Sequence, residues 1–303
     1  MVHKPFLVGA YASVPSGRQL QEDYYRLLSE QPWVSGIELP FPGDLENNWE
    51  WLMSQIPQHW DFNTITAIPG TMQSVWKNSK FGLASTDFEG RQAALSFFKV
   101  VNARVHDLHD RSGRKLISAV QIHSAPTNSA HYSSFKDSVY ELSEWDWSGA
   151  ELVIEHCDSP SIGRKPEKGF LKIEDEIAIA KEIGIGVHIN WGRSCLEERD
   201  SQAPLRHLRK ASERNVLSGI IFSGVSDKAT EYGYEWIDGH VPMSLDEPKS
   251  LMGKTEIAAC TQNARSGKYF GAKICVPTSA SLRARIAMIK SIYDVVADNV
   301  QTS

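Results

Sequence analysis

The stretch AELVIEHCD at residues 150–158, followed by IEDEIAIAKE at 173–182 and GVHINW at 186–191, decides the architecture. The first and third pieces are short apolar runs that end on polar residues, as strands buried on both faces of a parallel sheet do. The middle piece reads as a helix, so the unit is strand, helix, strand. Read outward, the alternation continues to both ends of the chain. Strand-like runs stand at Phe6–Ala12, Ser35–Phe41, Asn63–Pro69, Ile117–Pro126, Ala150–Asp158, Gly186–Trp191, Gly219–Val225 and Phe270–Pro277. Between Asn63–Pro69 and Ile117–Pro126, the residues Ala94, Phe97, Phe98, Val101, Val105 and Leu108 form a helical stripe, and Leu282, Ile286, Ile289 and Tyr293 form another after the last strand. Further helices are expected near Gln19–Glu30, Trp49–Ile56, Ser134–Glu144, Ile173–Glu182, Pro204–Arg214 and Thr255–Arg265.

Eight strands, each followed by a helix, predict a (β/α)8 TIM barrel, α/β in class. No linker or shift of composition divides residues 1–303, so one domain is expected. A doubly wound open sheet is the alternative. It lacks its fingerprint, because Gly9-Ala10-Tyr11-Ala12 stands where a GxGxxG turn would follow the first strand. A Walker A motif is absent as well, so no nucleotide cofactor is expected. A barrel of this kind takes about 250 residues. The surplus falls in Gly70–Gly90, Ser159–Lys172 and Ser226–Gly253, read as extended strand-to-helix loops on the rim.

Composition narrows the function classes. The chain has 37 acidic and 32 basic residues, a formal net charge of −5, with no basic stripe. Nucleic acid is therefore not an expected partner. The four cysteines, Cys157, Cys195, Cys260 and Cys275, form no CxxC pair, which suits a reducing, cytoplasmic setting. The apolar run Phe6-Leu7-Val8 behind Pro5 is too short for a signal peptide. No run approaches the roughly 18 apolar residues of a membrane span.

In such barrels active sites form at the carboxyl ends of the strands. The polar residues there are Glu38, His123, Glu155, His156, Asp158, His188, Asn190, Ser223 and Lys273, with Asp238 and His240 on the loop after the seventh strand. Polar side chains on apolar strands are costly to bury unless paired or bound to a ligand. Alternation along the fifth strand separates Glu155, with Val153, from His156 and Asp158; one of these faces points into the barrel mouth, and Glu155 is taken as that one, with His156 toward a helix. Arg193 offers a fork of donors for a carboxylate or phosphate. Trp76, Trp191 and Trp236 stand in strand-end segments where they would either stack on a sugar or pack under a loop. Each of the others has a plainer role open to it. Glu155 would pair with Lys273 or Arg193, His123 and His188 would be hydrogen-bonded core histidines, and Asp238 and His240 would lie in a solvated turn. His106 and His109 read as residues of a surface helix.

Three segments carry a family resemblance: GIELPF with Glu38, VIEHCD with Glu155, and DGHVP at 238–242. With the order of strands and helices, they make the chain resemble the xylose isomerase-like TIM barrels, a superfamily of sugar isomerases, epimerases and related metal-dependent enzymes, in a branch of unassigned function. The superfamily's usual metal site uses an acid, a second acid, a histidine and a final acid. The resemblance places these at Glu155, Asn190, Ser223 and Lys273, so three of the four positions depart. Two outcomes follow from that. A divalent metal would be held by another set, His123, Glu155, His188 and His240, or Lys273 would supply the positive charge in its place.

The resemblance implies a carbohydrate isomerase or epimerase, with a small carbohydrate as partner. Glu155 would remove a proton next to a carbonyl, Glu38 or a histidine would return it, and Lys273 would steady the enediolate. His123, Asn190, Trp191, Arg193, Asp238 and His240 would bind substrate, and Lys273 with Arg193 hints at an anionic one. A homo-oligomer is common in such families. The competing readings are a glycoside lyase or hydrolase using Glu38 and Glu155, and a non-catalytic sugar-binding barrel.

Overall fold

In a computed structural model, which describes residues 4–161 and 163–300, eight parallel strands close into one barrel. They are β1 (Phe6–Val8), β2 (Gly36–Pro40), β3 (Asn63–Thr66), β4 (Ile117–Ile122), β5 (Glu151–Glu155), β6 (Gly186–Asn190), β7 (Leu217–Phe222) and β8 (Tyr269–Ala272). Each pairs with its neighbour in chain order, and β8 closes on β1. The expected (β/α)8 TIM barrel is the observed fold, in a single domain.

The strands end earlier than their apolar runs. After Val8 the chain turns into the helix Ala10–Ser13, and the helix Ile68–Lys77, with Pro69 in its first turn, follows directly behind β3. Trp191 likewise opens the helix Trp191–Glu198. The apolar residues beyond those strand ends therefore belong to first turns of helices. The longest connection, Phe88–Ser112, is bounded by local chemistry. The Asp87 side chain accepts from the Gly90 N–H at 2.9 Å, and Gly113 at φ 64° ends the helix in the left-handed region.

Side-chain alternation divides the barrel into two environments. Outward residues such as Val8, Ile37, Leu39, Ile65, Val120, Ile154 and Ile189 join the helices in one continuous core. The inward set is different: Glu38, Thr64, Thr66, Gln121, His123, Glu155, His188 and Asn190 are all buried. A barrel interior is ordinarily filled by Val, Ile and Leu, so this one is unusually polar toward its upper end.

Of the three surplus segments, Ser226–Gly253 and the described residues of Ser159–Lys172 are loops over the rim. Gly70–Gly90 is not, because the helix Ile68–Lys77 fills its first part. Trp76 lies on that helix with 76% of its surface exposed, which removes it from the strand-end loops. Among the described residues no helix is long and apolar enough to cross a membrane.

Candidate active site

The inward side chains at the carboxyl ends of the strands form one buried ionic cluster. Lys273, one residue past β8, places Nζ 2.7 Å from Glu38 Oε1 and 3.7 Å from Glu155 Oε1. Arg193 Nη1 lies 2.7 Å from Glu155 Oε1, and His123 Nε2 lies 2.7 Å from Glu155 Oε2. Thr66 donates to Glu155 Oε2 at 3.2 Å, while Gln121 and Tyr11 donate to the two oxygens of Glu38 at 3.3 and 3.4 Å. Glu38, His123, Glu155, His188, Arg193 and Lys273 are each no more than 1% exposed.

The charges sort themselves by position. Burial alone would push the Glu155 carboxyl up, but the Arg193 and Lys273 cations beside it hold it well below the usual range. Burial works against the Lys273 ammonium too, and Glu38 more than reverses that, so its pKa is raised. The histidines go the other way. Burial depresses His123, and takes His188 and His240 down to about 3, so all three rings are neutral near pH 7. Since an ionised carboxylate only accepts, His123 Nε2 donates to Glu155. His123 Nδ1 is then a buried acceptor without a partner, and His188 Nε2 is likewise unpartnered. His188 Nδ1 pairs with the Tyr269 hydroxyl at 2.8 Å.

The rim loop after β7 covers this cluster. Asp238 faces Arg193 Nε at 3.1 Å and Lys168 Nζ at 3.0 Å, and those two cations hold its pKa well below the ordinary carboxylate value. His240 Nδ1 meets Ser223 Oγ at 2.7 Å, and the backbone N–H of Cys275 reaches the His240 carbonyl at 2.7 Å. These contacts hold His240 at φ 50°, a left-handed conformation uncommon for a residue with a Cβ. A groove of 670 Å³ opens on the same rim, lined by Ala12, Val14, Tyr232, Cys275 and Arg285 among others.

Several expectations are corrected. Trp191 is fully buried and belongs to the core outside the barrel, so it cannot stack on a substrate. Asn190 accepts from the Arg193 N–H at 3.4 Å as the cap of its helix, leaving only its amide NH₂ free toward the mouth. The metal set His123, Glu155, His188 and His240 does not assemble, because His240 is turned to Ser223 and His123 Nε2 is spent on Glu155. Among the described residues, three ligand atoms lie within 4.8 Å of one another at Glu38, Glu155 and His188, and at His156, Glu197 and His207. The first group does not fit a divalent ion as folded, since Lys273 and Arg193 already stand against its carboxylates.

The second group lies outside the barrel and is a closed network. His156 Nδ1 contacts Glu176 Oε2 at 2.7 Å and Nε2 contacts Glu197 Oε2 at 2.6 Å, with Ser124 and Ser159 donating to the outer oxygens. The two carboxylates raise His156 to about 10, so it is an imidazolium tying β5 to the helices Ile173–Ile183 and Trp191–Glu198. Glu155 and His156, adjacent in sequence, thus serve the two faces of the barrel wall.

Sequence reasoning overlooked Thr66, Gln121, Tyr269 and Lys168. The first three had a usable signal, being polar residues at inward positions of apolar strands. Lys168 comes from an irregular loop and had none.

The comparisons agree with this geometry at the level of fold. Residues 7–288 match the family described as a domain of unknown function (DUF4862). An uncharacterized protein of Salmonella typhimurium strain LT2, STM3670, is 33% identical over 298 residues, covering 94% of each chain. A putative xylose isomerase from Rhodospirillum rubrum superposes with a TM-score of 0.63 at 10% identity, covering 96% of this chain and 98% of the other. A D-psicose 3-epimerase crystallised with D-fructose gives 0.57 at 14% identity over 98% and 97%. The fold is that of the xylose isomerase-like TIM barrels, and the chain belongs to the DUF4862 family.

Proposed function

We propose that the protein is a sugar or sugar-acid isomerase or epimerase that moves a proton next to a carbonyl at the barrel mouth. The observation that carries this reading is one ammonium, Lys273, set between two buried carboxylates from β2 and β5. At rest Glu155 is a weak base because two cations stabilise its anion. A substrate whose carbonyl oxygen takes Lys273, and whose neighbouring oxygen takes Arg193, removes that stabilisation and leaves Glu155 a stronger base in a dry site. Glu155 then takes the proton from carbon, the C–H electron pair forms the carbon–carbon double bond, and the carbonyl π pair moves to oxygen. Lys273 stabilises that oxyanion by charge and hydrogen bond. Glu155, which now holds that proton, returns it to the adjacent carbon, while Glu38, on the other side of the ammonium, takes the proton of the neighbouring hydroxyl as its carbonyl forms and hands it to the oxyanion, so both carboxylates end as they began. The free nitrogens of His123 and His188 supply hydrogen-bonding sites suited to sugar hydroxyls.

Glycoside cleavage by the same carboxylates is the second reading, because carboxylate oxygens of Glu38 and Glu155 lie within 4.8 Å of each other, near the roughly 5 Å of retaining enzymes. It is the weaker one. Both carboxylates face the same ammonium, which opposes the protonated acid such cleavage needs. The deciding experiment incubates aldoses, ketoses, uronates and sugar phosphates with the protein in D₂O. Deuterium entering the carbon next to the carbonyl, and its loss in Glu155→Gln, is the expected result. Cleavage of a glycoside with no such exchange would replace this reading by the other.

A further inference from the structure

Each position that the resemblance aligns with a metal ligand is otherwise engaged. Asn190 caps a helix through its Oδ1. Ser223 Oγ is 2.7 Å from His240 Nδ1. Lys273 brings a cation where the resemblance places an acid, and Gly9 makes its entry feasible: a Cβ at residue 9 would stand 2.6 Å from Lys273 Cβ. Glu155, the one acid in place, has both oxygens in contact with Arg193, Lys273, His123 and Thr66. The two carboxylates and two cations balance, so an added divalent ion would leave a net charge of +2 in a water-poor enclosure.

We infer that this barrel mouth works without a divalent metal, the Lys273 ammonium filling the cation position between Glu38 and Glu155, and that Lys273→Glu alone converts it into a divalent-cation site. The swap restores an acid beside Glu38, Glu155 and His188, a set of oxygen and nitrogen donors that suits a transition metal. The inference rests on the charge arrangement rather than on the isomerase reading, and its test needs no substrate.

Mn²⁺ and Zn²⁺ are titrated calorimetrically into wild type, Lys273→Glu and Lys273→Glu/Glu155→Gln, with metal content measured on the purified proteins. Wild type is expected to bind no ion that depends on Glu155. Lys273→Glu is expected to gain one site, tighter by at least about a hundredfold because the charge beside the ion changes from +1 to −1, and the double variant to lose it. An ion held by His156, Glu197 and His207 survives Glu155→Gln and is told apart in that way. One equivalent bound by wild type and lost in Glu155→Gln overturns the inference, whether or not Lys273→Glu folds. A folded Lys273→Glu that gains no Glu155-dependent site also overturns it.

Discussion

Replacing His156 by Gln tests whether the imidazolium outside the barrel holds the wall that carries Glu155. Burial opposes the charge on His156, but Glu197 and Glu176 raise its pKa from 6.5 to about 10. A group whose pKa rises on folding stabilises fully below its unfolded pKa and loses that contribution as pH climbs through the folded one. The window is therefore pH 6.5 to 10. At 1.36 kcal/mol per unit, the shift corresponds to an upper figure of about 5 kcal/mol, and removing one member of a buried pair typically costs about 3–5 kcal/mol. His156→Gln should thus unfold about 3–5 kcal/mol more easily near pH 7. The gap to wild type should close by roughly 1.4 kcal/mol per pH unit above that. Urea unfolding followed by tryptophan fluorescence at pH 7, 8 and 9.5 measures it, and groups that titrate alike in both proteins cancel in the difference. A gap that stays constant across those three pH values would mean that His156 is not charged in the folded state, and the reasoning fails.

Two further perturbations address the mouth itself. Lys273→Met leaves Glu38 and Glu155 without their shared cation and should destabilise by about 3–5 kcal/mol, whereas adding Glu38→Gln should recover at least about 1 kcal/mol of it; strict additivity in a urea double-mutant cycle would show that the pair does not interact. Gly9→Ala forces a Cβ to within 2.6 Å of Lys273 Cβ, so it should cost about 1–3 kcal/mol by overpacking and lower deuterium exchange of any substrate found, while an unchanged exchange rate would show that Lys273 tolerates displacement.

The fold was legible because its signal is local. Val- and Ile-rich runs alternating with helical stripes name the strands in order, and only their ends were overrun where helices begin with apolar residues, as at Ile68 and Trp191. The rim was legible too, since a polar residue on an apolar strand is conspicuous wherever it falls. What sequence could not supply was pairing. Lys273 meets Glu38 across 235 residues, and only barrel closure, which puts β8 beside β1 and β1 beside β2, brings them together. The failed metal set shows the same limit. His240 was grouped with His123 and His188 by residue type, yet its loop turns it to Ser223, a contact set by backbone conformation rather than residue spacing.

The position of Arg193 joins the cover to the chemistry. Its Nη1 is held by Glu155 and its Nε by Asp238 of the rim loop, so one guanidinium bridges the proposed base and the segment that hides it. Glu155 and Lys273 are fully buried, and the rim residue that lies against Arg193 is Asp238, which it shares with Lys168. A substrate oxygen anion that takes that place replaces the charge Asp238 provided, so the cations stay paired throughout. Within the proposed reading this supports an anionic substrate over a neutral glycoside, which would leave the half-buried Lys168 without its carboxylate and Arg193 with Glu155 alone. The substrate charge proposed above thus rests on the same ion pairs that cover Glu155.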